Sequence, residues 1–293
     1  MAEELEIKLS LAPDNLMKAF SWLQAQPEAE NGSKKSLVNC YYDTPDAELN
    51  RQKAALRVRQ GGNQYIQTLK TRGEFVNGAH RREERDWPVS GPNLSLGLLA
   101  DTSLGGRVNL ARLAPIFETN FTRQVIMLDD GDAVIECALD EGVIAGGGRE
   151  KPLHEVEFEL VSGDPKRLLI WAERLAQQCP VFLNLISKAE QGYYLAGIHM
   201  VGSAVVENTD EQDDLDRFLQ RLSNAWLEQT SVPLAGLDIQ SLSAQAAACG
   251  LEQSFASVIE ALEMGKPLQD LLAEPDIGRC QLALLANRLG SGA

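Results

Sequence analysis

Glu4-Leu5-Glu6-Ile7-Lys8 alternates ionisable and apolar side chains with a period of two. Successive side chains of a β-strand point to opposite faces. The spacing predicts a strand with Glu4, Glu6 and Lys8 on one face and Leu5, Ile7 and Leu9 on the other. Taken alone, such a strand reads as one whose charged row faces water. The rest of the chain argues otherwise, because the pattern recurs with the charges sorted.

Further strands are predicted at 36–43, 54–60, 65–70, 80–89, 115–128, 133–140 and 153–160, separated by turn residues such as Asn31-Gly32-Ser33, Gly61-Gly62-Asn63 and Gly146-Gly147-Gly148. Helical spacing is predicted over 14–26, with Asp14 as N-cap, over much of 94–113, over 165–178 and over 188–196. The connections between most strands are too short for parallel crossovers. An eight-stranded antiparallel β-barrel with flanking helices, an α+β arrangement, is the expected closure, and eight strands leave a lumen of ligand size.

The faces then sort by charge. Arg57 and Arg59 alternate with Leu56 and Val58, and Thr68 shares a face with Lys70. Arg82 is joined by Glu84 and Asp86, Glu136 by Asp140, and Glu155 by Glu157 and Glu159, while Arg123 sits on the 115–128 strand. Water-facing surfaces rarely segregate into double-arginine and triple-carboxylate strands, so an inward charged face is expected. Isolated buried ions cost several kcal/mol each, and such a lumen therefore calls for pairing, hydration or a ligand. Arg57, Arg59, Lys70, Arg82, Arg123 and Lys188 suit a polyphosphate, arginine as a bidentate donor and lysine as a point charge. Glu4, Glu6, Glu157 and Glu159, with Glu136, Asp140 and Glu155 beside them, offer hard oxygen ligands for Mg²⁺ or Mn²⁺.

Glu-x-Glu-x-Lys near residue 4 is followed in order by Tyr41-Tyr42-Asp43-Thr44-Pro45, Leu56-Arg57-Val58-Arg59, Thr68-Leu69-Lys70, Arg82-x-Glu84, Glu155-Val156-Glu157-Phe158-Glu159 and Ser187-Lys188-Ala189. This succession resembles the CYTH superfamily, the triphosphate tunnel metalloenzymes, and within it the bacterial inorganic triphosphatases. The resemblance implies a closed antiparallel tunnel whose basic strands hold a triphosphate. It implies a divalent ion on the glutamates and a second that activates water. Glu4, Glu6 and Lys8 are then the catalytic group, with Lys8 orienting the water or neutralising transition-state charge. Inorganic triphosphate is the expected substrate. Class IV adenylate cyclase chemistry, hydrolysis of thiamine or nucleoside triphosphate, and non-catalytic polyphosphate sensing remain open on the same scaffold. One departure is Glu190-Gln191, where relatives carry an arginine.

The net charge of −15 argues against a large nucleic-acid footprint. No apolar run reaches the length of a membrane span, and Met-Ala-Glu-Glu lacks the features of a signal peptide, so a cytoplasmic protein without membrane association is expected. The five cysteines are scattered and read as reduced. From residue 210 the texture becomes helical, with 14 acids against 5 bases over 200–293. The expected organisation is a tunnel domain at 1–200, a linker at 201–209 and an all-α appendage at 210–293. The appendage is expected to serve a homodimer or a docking partner, and a chain ending near Ile198 to fold and keep its turnover.

Overall fold

A computed structural model describes residues 2–71, 74–76, 79–100, 102, 104, 106–198 and 213–291. The expected linker at 201–209 lies outside them. The described strands are β1 (Ala2–Ser10), β2 (Ala29–Asp43), β3 (Ala55–Gly61), β4 (Gln64–Lys70), β5 (Glu74–Val76), β6 (Ala79–Val89), β7 (Ala114–Asp129), β8 (Ala133–Gly146), β9 (Arg149–Gly163) and β10 (Phe182–Leu183). All pair antiparallel in one sheet of order β10-β1-β9-β8-β7-β2-β3-β4-β6-β5. The sheet therefore has ten described strands where eight were expected, the short β5 and β10 being the additions. β1 makes two sets of pairs: Ala2–Glu6 with β6, and Glu6–Ser10 with β9. Hydrogen-bonded neighbours thus lead from β1 through β9, β8, β7, β2, β3, β4 and β6 to β1 again.

The helices are α1 (Pro13–Gln24), α2 (Glu48–Arg51), α3 (Lys166–Ala176), α4 (Lys188–Leu195), α5 (Asp214–Glu228), α6 (Ile239–Ala248), α7 (Glu252–Glu263), α8 (Leu268–Leu271) and α9 (Asp276–Ser291). Asp14 falls in the first turn of α1 rather than at its N-cap, because Pro13 takes the opening position. Among the described residues of the stretch 94–113, the helical turns are two 3₁₀ turns, Leu96–Leu99 and Leu110–Arg112. Asn31-Gly32-Ser33 is not a turn but part of β2, where the register with β7 shifts between Asn31 and Lys34. A bulge absorbs the turn-forming residues without ending the strand.

The apolar strand faces bury Ile7, Leu9, Ile135, Cys137, Val156 and Phe158 beneath Leu16, Ala19 and Leu23 of α1 and Leu168, Trp171 and Leu175 of α3. Leu56, Val58 and Leu69 face a second cluster around Leu49 and Leu99. The period-two alternation thus places the Glu4–Lys8 and Arg57–Arg59 charges opposite these layers. Asp43, fully buried, accepts from the amides of Thr44 (2.7 Å), Leu49 (2.8 Å) and Asn50 (2.9 Å) and from the Tyr193 hydroxyl (2.9 Å). The Tyr-Tyr-Asp-Thr-Pro stretch is thereby an anchor for α2 and α4.

The C-terminal helices continue the same core. Leu215, Phe218, Leu222, Phe255, Ile277 and Leu285 belong to one cluster with Ile7 and Phe158. Phe182 of β10 stacks on Trp226 of α5 with centroids 6.3 Å apart. A Cβ at Gly278 of α9 would stand 2.1 Å from the Val181 carbonyl oxygen, so only glycine permits this approach.

Candidate functional site

β2 and β3 set the cationic wall. In their register Arg57 lies opposite Tyr41 and Arg59 opposite Asn39. Arg57 donates to the Tyr41 hydroxyl (3.3 Å) and lies 3.6 Å from Glu84. Arg59 donates to Asn39 Oδ1 (2.7 Å), and Asn39 in turn donates to the Thr119 carbonyl (2.7 Å). Among the described residues no ion pair neutralises Arg59. Burial, then the neighbouring Arg57 and Arg123, pull its guanidinium down to about 9. A cation so disfavoured would be stabilised by an arriving anion.

Replacing Arg59 with glutamine is expected to weaken inorganic triphosphate binding roughly 10- to 100-fold, the scale of a charged hydrogen bond. The melting temperature should hold or rise, because a half-buried cation disfavoured by Arg57 and Arg123 is removed. Calorimetric titration and a thermal melt check this, and unchanged affinity would place Arg59 outside the site.

β1 brings two carboxylates to β9. Glu6 lies opposite Glu159, Lys8 opposite Glu157 and Ser10 opposite Glu155. Ligand atoms of Glu4, Glu6 and Glu159 all lie within 4.8 Å of one another. Burial, then Glu4 and Glu6, push the Glu159 carboxyl up to about 7. Such mutual repulsion is relieved by a cation. Lys70 borders the trio, 3.0 Å from both Glu4 and Glu84. Hard oxygen donors in this density fit Mg²⁺ or Mn²⁺.

The other four expected metal ligands are not part of this trio. Asp140, Glu155 and Glu157 surround the Lys188 ammonium at 2.9, 2.8 and 2.7 Å. Arg123 bridges Asp140 (2.7 Å) and Glu157 (2.5 Å). Glu136 lies opposite Glu159 in the β8–β9 register but outside the trio. Burial opposes the charges of Lys188, Arg123 and Glu157, yet their partners outweigh it. Lys188 and Arg123 are held well above their ordinary values and Glu157 well below its own. The carboxylates here are matched to protein cations, which makes the cluster an ionic clasp between β7, β8, β9 and α4.

Lys8 is buried between the trio and this clasp. Its ammonium donates to the Ile186 carbonyl. Burial lowers its pKa, opposed chiefly by Glu155. The Arg82 side chain lies outside the described residues; its backbone pairs with Glu4.

Several neighbours were not among the expected site residues. Asn39 and Tyr41 were read as strand residues, and only the β2–β3 register brings them to the arginines. Gln191, in the stretch that departs from the resemblance, donates to Glu155 (3.1 Å). A Cβ at Gly192 would stand 2.1 Å from the Phe117 ring, so α4 seats directly on β7. Among the described residues no helix is long and apolar enough to cross a membrane.

The family description "CYTH domain" matches residues 2–193. Over 200 residues the chain is 35% identical to a Haemophilus influenzae protein named inorganic triphosphatase, covering 67% of this chain and 55% of that one. The chain thus spans about half the length of that curated relative. Among solved structures, a Hippeastrum protein named as an adenylyl cyclase and described as having a dominant triphosphatase activity superposes with a TM-score of 0.51 at 18% identity. That match covers 65% of this chain and 95% of the other. At that identity the likeness concerns the fold.

Proposed function

The chain belongs to the CYTH domain family, and on that premise we propose that it is a divalent-metal-dependent triphosphatase, splitting inorganic triphosphate with water into pyrophosphate and phosphate. The observation that carries the reading is Arg59, a half-buried cation without an ion pair among the described residues, on the same charged face as the carboxylate trio. The name of the Haemophilus influenzae relative supports the same substrate.

The ring of strands from β1 through β9 to β6 is read as an eight-stranded tunnel around the charged faces. Arg59 and Arg57 bind phosphate oxygens from one wall, and Arg123 and Lys70 extend the positive surface. Glu4, Glu6 and Glu159 hold the divalent ion, which when bound neutralises charge on the phosphate oxygens and acidifies a ligated water. Lys8, fixed by the Ile186 carbonyl, points its side-chain nitrogen between the two groups of carboxylates. The aromatic rings beside Arg57 are occupied with one another: Tyr41 stacks on Phe117 at 4.4 Å, and Phe117 meets Tyr193 at 5.1 Å. They are not presented to a nucleobase, which favours inorganic triphosphate over ATP. Residues 1–200 form the tunnel unit and 210–293 a helical unit docked on it, in a protein read as cytoplasmic.

Phosphate release from inorganic triphosphate, ATP and thiamine triphosphate, each with Mg²⁺ and Mn²⁺, tests the proposal. Preferred, metal-dependent turnover of inorganic triphosphate is expected. Cyclic AMP from ATP with inorganic triphosphate left intact would replace this reading by the cyclase one. Glu6→Gln is expected to lower turnover about a hundredfold, the scale of losing one fixed electrostatic group in a site. Added Mg²⁺ should raise the melting temperature of the parent more than that of Glu6→Gln, since ligand binding to the native state stabilises it. Equal metal-induced shifts in both proteins would remove Glu6 from the ion's ligands.

A further inference from the structure

Lys8 does not reach its carbonyl partner through β1 alone. The acceptor belongs to the peptide between Ile186 and Ser187, whose own N–H donates to Glu190 Oε2 (2.6 Å). That peptide ends a strap, residues 182–187, laid along β1. Leu9 and Ser10 pair with Leu183 and Phe182. Asn184 ties the strap further: its amide donates to the Lys8 carbonyl (3.1 Å), its side chain donates to Ser10 Oγ (2.9 Å), and its Oδ1 accepts from the Ile186 amide (2.9 Å).

The outer side of the strap is held by two side chains from the C-terminal helices. Gln281 of α9 accepts from the Leu183 amide (2.9 Å) and donates to the Leu183 carbonyl (3.0 Å). Its amide therefore does for the edge of β10 what a further strand would do. Ser223 of α5 accepts from the Leu185 amide (3.1 Å). Both side chains are fully buried in otherwise apolar helix faces. A buried amide or hydroxyl costs free energy unless it is bonded, and apolar packing alone would seat these helices without them. Apolar contact is non-directional, whereas these hydrogen bonds fix the strap's position along β1.

We propose that Ser223 and Gln281 are positioning residues for the reaction, acting through the strap on the Lys8 ammonium. The helical unit is on this view part of the active site's framework, although it offers no group to the substrate. The inference rests on the triphosphatase reading for its kinetic readout and on geometry alone for its chemical one.

Three full-length variants are compared with the parent: Ser223→Ala, Ser223→Ala with Gln281→Met, and Leu219→Ala. Leu219 is buried in the helical core and touches none of the strap's hydrogen bonds, so it controls for loss of stability alone. The double variant is expected to lower kcat for inorganic triphosphate about tenfold with KM unchanged. Acylation of Lys8 by an amine-reactive reagent, followed by mass spectrometry, should quicken several-fold. Leu219→Ala should lower the melting temperature with kcat and Lys8 labelling as in the parent. Parental kcat and labelling in the double variant would overturn the proposal, as would an equal kcat loss in Leu219→Ala. If the double variant does not fold, Ser223→Ala alone is read by the same criteria. A parent without turnover on any triphosphate would sink the hydrolase reading, and Lys8 labelling would then decide the strap's role on its own.

Discussion

Ending the chain after Ile198 is expected to leave no soluble folded protein. The change of composition near residue 205 suggests an independent appendage, and the packing of α5 and α9 argues for the opposite outcome. Val181, Phe182, Leu183 and Leu185 are buried in one cluster with Leu222, Leu282 and Leu285. Uncovering a Val, Leu or Phe side chain costs roughly 1.5–3 kcal/mol. Loss of Gln281 and Ser223 adds orphaned backbone groups at Leu183 and Leu185, each roughly 1–3 kcal/mol if they stay buried. Together these losses approach the roughly 5–15 kcal/mol net stability of a typical domain. Soluble yield and a thermal melt of the shortened chain check this. A monomer with a cooperative melt and parental turnover would show that the sheet stands without the helices.

Lys188→Met is expected to cost roughly 3–5 kcal/mol of stability, the range for removing one partner from a buried ionic group. For a chain of this size that corresponds to a melting temperature lower by roughly 5–8 °C. Lys188 faces Asp140, Glu155 and Glu157 at hydrogen-bonding distance. Methionine fills a similar volume without the charge, leaving Arg123 as the remaining close cation on Asp140 and Glu157. Adding Glu155→Gln should recover part of the loss, since it removes one uncompensated negative charge. Denaturant unfolding of the parent, both single variants and the pair completes a double-mutant cycle. Additive losses, or a Lys188→Met protein as stable as the parent, would contradict the clasp and return Lys188 to a substrate-binding role.

The sequence by itself determined which residues share a face. Alternation along Glu4–Leu9 and Leu56–Arg59 is a local property of an extended backbone, so it survives any tertiary arrangement. Helix α3 was legible for the same reason, from the apolar spacing of Leu168, Trp171 and Leu175. Register was not legible. Whether Glu157 meets a metal ion or the Lys188 ammonium depends on how α4 seats on β7 and β8. Whether Arg59 is neutralised depends on Asn39, rather than an acid, lying opposite it on β2. These are pairings between residues far apart in the chain, and period-two patterning carries no information about them.

The strand count failed at β5 and β10 because strands of three and two residues leave no periodic signal. The packing of the helical unit was not legible for a different reason. Its change in composition records a switch from strand to helix, while the apolar core runs on across the switch. Only the tertiary structure could decide that Gln281 and Ser223 bond to the strap, since each is a single polar residue in a helix whose partner amides lie in a different element.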